Sequence, residues 1–205
     1  PSCMDSWGSL FERAAEVDTD ERAVRDALES VRARDGGESV GEAEQSVSPP
    51  ADSGPARVVA DADVLAADLL IDGAAREALD ALRRHRWTTV LASDPLVDGA
   101  ETVIADLADS ALAAAWRERV TAWREPVSHP AGDNPALGSA YRGGAMHILT
   151  FDDRLRSAKA GATLGTDLTV SARHPEAFAA LFDAASLYPA VVGGSYPGPD
   201  RDPRA

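Results

Sequence analysis

Apolar residues recur at helical spacing along the first 34 positions. Trp7, Leu10, Phe11, Ala14 and Ala15 fall at i, i+3, i+4, i+7 and i+8, and Val24, Ala27, Leu28 and Val31 repeat the interval. Two short amphipathic helices follow. The second is opened by Asp18 with Glu21 three residues on, and Arg22–Asp26 and Arg25–Glu29 pairs are expected on its polar side. Over 35–56 (DGGESVGEAEQSVSPPADSGPA) the periodicity gives way to an acidic linker rich in Gly, Ser and Pro. From Arg57 apolar runs alternate with helical stretches. The pattern predicts strands over 57–61, 87–92, 146–150 and 167–171, a weaker one near Val127, and helices over 63–70, 73–84, 95–107, 109–123, 135–144, 153–160 and 175–183. Such alternation implies a parallel sheet covered on both faces: a three-layer α/β/α domain over 57–187, preceded by a helical appendage over 1–34. The Pro- and Gly-rich tail over 188–205 is expected to lie extended along the domain or to be mobile.

Composition narrows the class. No apolar run approaches the roughly 18 residues of a membrane helix, and no basic-then-apolar leader is seen. A cytoplasmic protein with no membrane partner is the expectation. Met4 reads as a natural start, with Pro1, Ser2 and Cys3 as additions. The lone Cys3 excludes an internal disulfide. The net charge is −14, and of 20 basic residues only Lys159 is a lysine. Acid abundance with almost no lysine resembles the proteins of salt-accumulating halophilic archaea, where surface acidity serves hydration in strong salt. The acidity therefore does not exclude a nucleic-acid partner. Residues 1–50 hold 12 acids and 5 bases, half of the net charge. That piece is poorly suited to gripping phosphate. Its helices are expected instead to bind a protein partner, mediate self-association as a homodimer, or cover basic patches.

Four carboxylates stand out. Asp61 ends the first predicted strand and Asp152 follows the fourth, so both fall at the carboxyl edge of the sheet, where open α/β folds bind ligands. Either alone is as well explained as a helix cap. Glu101 borders the apolar stripe Leu96, Val97, Ala100, Ile104 and Leu107, where a carboxylate needs a partner. Asp133 precedes Asn134–Pro135, a helix start with Asn134 as N-cap.

Together these stretches resemble the PIN-domain family. D-A-D-V-L at Asp61 resembles its opening, and Glu101 its helical second acid. D-N-P-A-L-G-S-A-Y-R-G-G-A-M-H-I-L-T-F-D, Asp133 to Asp152, resembles its third and fourth acidic positions. The likeness spans about 57–183 and departs at Asp63, where asparagine is commoner, and at Phe151, where glycine is usual. It implies a metal-dependent ribonuclease with Asp61, Glu101, Asp133 and Asp152 as catalytic metal ligands. Many members are toxins held by an antitoxin, while others process or degrade RNA. The residue chemistry agrees, because carboxylate oxygens suit Mg²⁺ or Mn²⁺. Thr150, Asn134, Asp63 and Asp153 are supporting candidates. Arg154, Arg156 and Lys159 are candidate contacts to RNA phosphates, and Arg83, Arg84 and Arg86 form a second basic patch. His85, His129, His147 and His174 have no metal-ligand spacing and are assigned to structure or surface.

Two alternatives stay open. One is a PIN-like module that binds or scaffolds without catalysis. The other is a haloacid-dehalogenase-like phosphatase, whose nucleophile loop D-A-D-V-L also resembles. That mechanism needs a cation between its second and fourth motifs, whereas Lys159 lies after them, and it leaves Glu101 and Asp133 without a role.

Overall fold

The computed structural model describes residues 5–35, 52–130, 132–157 and 170–205. Two helices lead, α1 (Trp7–Ala14) and α2 (Glu21–Asp35). The sheet domain follows as β1 (Gly54–Ala60), α3 (Ala62–Leu70), α4 (Ala74–Arg83), β2 (Thr89–Ala92), α5 (Asp94–Leu107) and α6 (Ser110–Trp123). It continues through β3 (Glu125–Pro126), α7 (Pro135–Gly143), β4 (Ala145–Leu149), α8 (Asp153–Arg156), β5 (Ser171–Arg173), α9 (Pro175–Leu181) and α10 (Ala184–Val191).

The five strands lie in the order β3-β2-β1-β4-β5, and every pairing is parallel. Val58 stands beside Val90 of β2 on one side and His147 of β4 on the other. The chain runs outward from β1 in one direction to β2 and β3, then crosses back to β4 and β5. The β1–β4 boundary is thus the switch in strand order, where a crevice opens beyond the carboxyl ends of the strands. Residues Ala62 to Leu70 of α3 are all buried, Asp63 and Asp68 among them, as in a helix enclosed by others on every side. At the end of α7, Gly144 takes a left-handed φ of 64°. A Cβ on Gly143 would come within 2.5 Å of Leu91, so only glycine lets α7 pack this close to β2.

The N-terminal helices are less separate than their sequence suggests. Trp7, Leu10, Phe11, Val24, Leu28 and Val31 join the core that holds the sheet. Each such side chain contributes roughly 1.5–3 kcal/mol on burial. Helix α1 packs on α3 and α6, and α2 on α3 and α5.

Some expectations need correction. The strand β1 starts at Gly54, inside the stretch read as linker; residues 36–51 of that stretch lie outside the described residues. The boundary drawn at 187/188 falls within α10. There Asp183 accepts hydrogen bonds from the N–H groups of Ala185 and Ser186, and the helix runs on through Tyr188 and Pro189, the first residues of the expected tail. Beyond α10 the tail does lie along the domain: Gly8 donates to the Arg204 carbonyl at 2.9 Å, the Arg86 N–H to Asp200 at 2.9 Å, and Arg204 pairs with Asp80 at 2.7 Å. The last strand is found at Ser171–Arg173, with 167–169 outside the described residues. No described helix is long and apolar enough to cross a membrane.

Candidate functional site

The register of β1 against β4 builds the site. Ala60 pairs with Leu149, so the next residues on each strand, Asp61 and Thr150, emerge side by side at the switch point. The Thr150 hydroxyl donates to Asp61 Oδ2 at 2.9 Å and also lies 3.4 Å from Asp63 Oδ2. The Phe151 N–H donates to Asp63 Oδ2 at 3.0 Å, and the Asp152 N–H donates to Thr150 Oγ1 at 3.0 Å. Asp61 also caps α3 through the Ala62 N–H at 2.8 Å, and Asp152 caps α8 through the Arg154 N–H at 2.8 Å. The helix-cap reading of each aspartate therefore holds, and a cap at this edge leaves the side chain in the crevice region.

Asp61 and Thr150 are fully buried and Asp63 is 2% exposed. Burial raises the proton affinity of Asp61, and Asp152 adds to the rise, while Arg32, Thr150 and the Ala62 N–H oppose it. Asp63 is pushed well above the ordinary carboxylate range, first by burial and then by the charge of Asp61. The cation on Asp61 is Arg32 of α2, whose Nη2 lies 3.2 Å from Oδ1. A cleft of about 330 Å³ opens here, with Arg25, Arg32, Asp63, Asp152 and Arg154 among its lining residues. Arg154 spans the cleft mouth, its Nε 3.2 Å from Asp152 and its Nη2 3.5 Å from Glu29. Glu29 thus turns to α8, and its expected helical partner Arg25 lies 3.9 Å from Glu21 instead.

The other predicted residues lie elsewhere. Glu101 faces α6, where Arg117 holds it at 2.5 Å together with Asp98 at 2.6 Å. Asp133 is exposed on the loop before α7, beside a different cleft with Tyr141 and Arg142. Asn134 caps α7 as expected, accepting from Ala136 and Leu137 at 3.1 Å each. Asp153 is exposed and paired with Arg156. Lys159 lies outside the described residues. Among the described residues, no three His, Cys, Asp or Glu side chains stand ready to hold a metal ion.

The donor chemistry at the switch point nevertheless fits a hard divalent cation. Asp61 and Asp63 offer carboxylate oxygens beside the Thr150 hydroxyl, and Asp152 follows two residues on with its backbone N–H on that hydroxyl. Asp61 and Asp63 are buried where a second positive charge would be stabilised. The histidines serve structure: His174 caps α9, His129 lies 3.1 Å from Ser93, His85 stacks near Trp87, and His147 packs against Phe178. Arg32 is the residue that sequence reasoning missed. It sits on the polar side of an acidic helix, and no local pattern points it toward an aspartate 29 positions away.

An α/β domain with an acidic crevice at a switch in strand order is the class this geometry defines. Over residues 52–204 the chain matches a family of unknown function (DUF7384), and it belongs to that family. The matched span contains the sheet and its aspartates but excludes α1 and α2. No curated protein matches the chain, and no solved structure does.

Proposed function

We propose that the protein is a Mg²⁺- or Mn²⁺-dependent nuclease that hydrolyses RNA phosphodiester bonds at the β1–β4 switch point. The observation that carries this reading is the meeting of the Asp61 and Asp63 carboxylates at the Thr150 hydroxyl, which also accepts the Asp152 N–H, with Asp61 and Asp63 buried and raised in proton affinity. Buried carboxylates in such excess are costly when charged, and a bound cation would relieve that cost. Asp61, Asp63 and Asp152 would hold the ion. When bound, it supplies Lewis acidity toward phosphate and makes water a better nucleophile near neutral pH. Thr150 orients the Asp61 carboxylate, and the Phe151 N–H orients Asp63. Arg154 and Arg25, at the cleft mouth, present guanidinium groups to the RNA backbone. Glu101 and Asp133 stand outside this inner set, and joining it would require Glu101 to leave Arg117.

A second reading has its own observation. Arg32 and Arg154 already pair with Asp61 and Asp152, an arrangement that a binding module without catalysis could keep indefinitely. Cleavage of single-stranded and structured RNA with and without Mn²⁺, in low salt and in molar KCl, separates the two. Wild type should cleave only with Mn²⁺, and Asp61→Asn and Asp152→Asn should each lose about a hundredfold or more, the scale expected when a metal-centred interaction is removed from a transition state. Equal inactivity of all three folded proteins would favour the binding module.

A further inference from the structure

Arg32 occupies the position at the acidic crevice where a positive charge is most needed. Its guanidinium meets Asp61 through one hydrogen bond of 3.2 Å, and its side chain is 40% exposed. The helix that carries it is fixed far more firmly. Val24, Leu28 and Val31 of α2 are buried. Leu28 packs against α5 at Gly99, 3.4 Å from where a Cβ there would stand, which is ordinary van der Waals contact. Arg34 fastens the end of α2 to Asp106 of α5 at 2.9 Å. Swinging α2 away would expose its whole apolar stripe, whereas turning Arg32 outward moves one partly exposed side chain whose charge at the buried Asp61 an arriving cation would replace. The cheaper movement is that of the side chain.

On these grounds, and resting on the metal-site reading above, we propose that Arg32 is a resident counter-ion of the crevice, displaced from Asp61 when a divalent cation binds. Helix α2 is then a fixed wall of the site. It supplies in the same chain the charge that keeps the acids tolerable before loading. Arg32 and the ion compete for Asp61, so each weakens the other's hold by the same factor. The consequence is a site that loads at higher metal concentration than its carboxylates alone would require.

The test uses the full chain, with Mn²⁺ as the probe, measuring its binding by calorimetry at low salt and the melting temperature with and without it. Arg32→Ala should bind Mn²⁺ about tenfold more tightly than wild type, within the usual range for coupled sites. Its metal-free form should melt lower, and saturating Mn²⁺ should raise its melting temperature by more than it raises that of wild type. Arg32→Gln, which keeps a donor for Asp61 without the charge, should show the same tightening and guards against a folding failure of the alanine variant. Arg34→Ala, on the same helix but paired away from the crevice, should bind Mn²⁺ as wild type does. Equal Mn²⁺ affinity in wild type, Arg32→Ala and Arg32→Gln would overturn the counter-ion role while leaving the metal site standing. Absence of Mn²⁺ binding in all of them would overturn both.

Discussion

Two groups of buried charges sit at opposite ends of α3, and they are neutralised very differently. At its carboxyl end, Asp68 and Asp80 flank Arg83, which is itself 2% exposed. Arg83 bonds to both acids, lies 3.9 Å from the Trp7 ring and 4.5 Å from that of Trp123, and Arg204 adds a second cation to Asp80. At the amino end, Asp61 and Asp63 share one partly exposed guanidinium from a neighbouring helix. Burial raises the proton affinity of Asp68 too, but Arg83 opposes the rise by both charge and hydrogen bonding. Asp63 feels a second carboxylate, Asp61, more strongly than any other charge and is raised further still. Acids matched by buried cations tie α1, α4 and the C-terminal segment together. Acids left in excess are the ones a bound cation would relieve, as the proposed metal site requires.

The largest effect should come from the matched group. Replacing Arg83 with methionine leaves Asp68 and Asp80 without their shared buried cation and removes the platform under Trp7. Loss of one partner from a buried pair costs about 3–5 kcal/mol, which should appear as a fall of that size in denaturant unfolding free energy. A loss below about 1 kcal/mol, the scale of a surface pair, would mean that the two groups do not differ as argued.

The unmatched group should respond in the opposite direction. Asp63→Asn removes a buried charge that faces another carboxylate and sacrifices one of the hydrogen bonds from Phe151 or Val64. A neutral hydrogen bond is worth about 1 kcal/mol net, less than a buried charge beside a like charge costs. The metal-free variant should therefore be more stable than wild type by about 1 kcal/mol near pH 7. The pH dependence fixes the sign. The folded-state pKa of Asp63 lies above its ordinary value of 3.8, so the folded chain holds the proton more tightly than the unfolded chain. The stability this contributes is fully present below 3.8 and is lost as pH rises through the folded value. The advantage of Asp63→Asn, measured by thermal unfolding across that interval, should grow with pH. An advantage that stays level would place the charge of Asp63 in solvent contact.

These behaviours were unequally legible in the sequence. Asp61 and Asp152 could be placed because a fully apolar run followed by a polar residue marks where a buried parallel strand leaves the sheet. The cap of α7 by Asn134 follows from a Pro at the first helical position. Helix α10 was hidden because Pro189 reads as a breaker, whereas the Asp183 cap and the aromatic packing of Tyr188 on Trp87 hold it. Charge partners were the least legible. Arg22 and Asp26 do lie 3.7 Å apart as spacing suggests, yet Glu29, Arg32 and Arg34 of the same helix all reach other elements. Local spacing says which side of a helix is polar. Only the tertiary fold says which charges meet there.

Glu101 gives the smallest expected change and the finest division between the two kinds of acid. The PIN-domain resemblance would make it a metal ligand, whereas its position beside Arg117 makes it half of a partly solvated pair. Arg117 keeps Asp98 at 2.6 Å if Glu101 is neutralised. Glu101→Gln should therefore cost only about 0.5 kcal/mol in unfolding free energy, as exposed pairs do, and should leave Mn²⁺ affinity within about twofold of wild type, since a ligand's loss would cost far more. A tenfold or larger weakening would show that metal loading draws Glu101 from Arg117 to the crevice. Glu101 would then belong with Asp61 and Asp63, among the acids that wait for a cation, and Arg117 would play toward it the part that Arg32 plays toward Asp61.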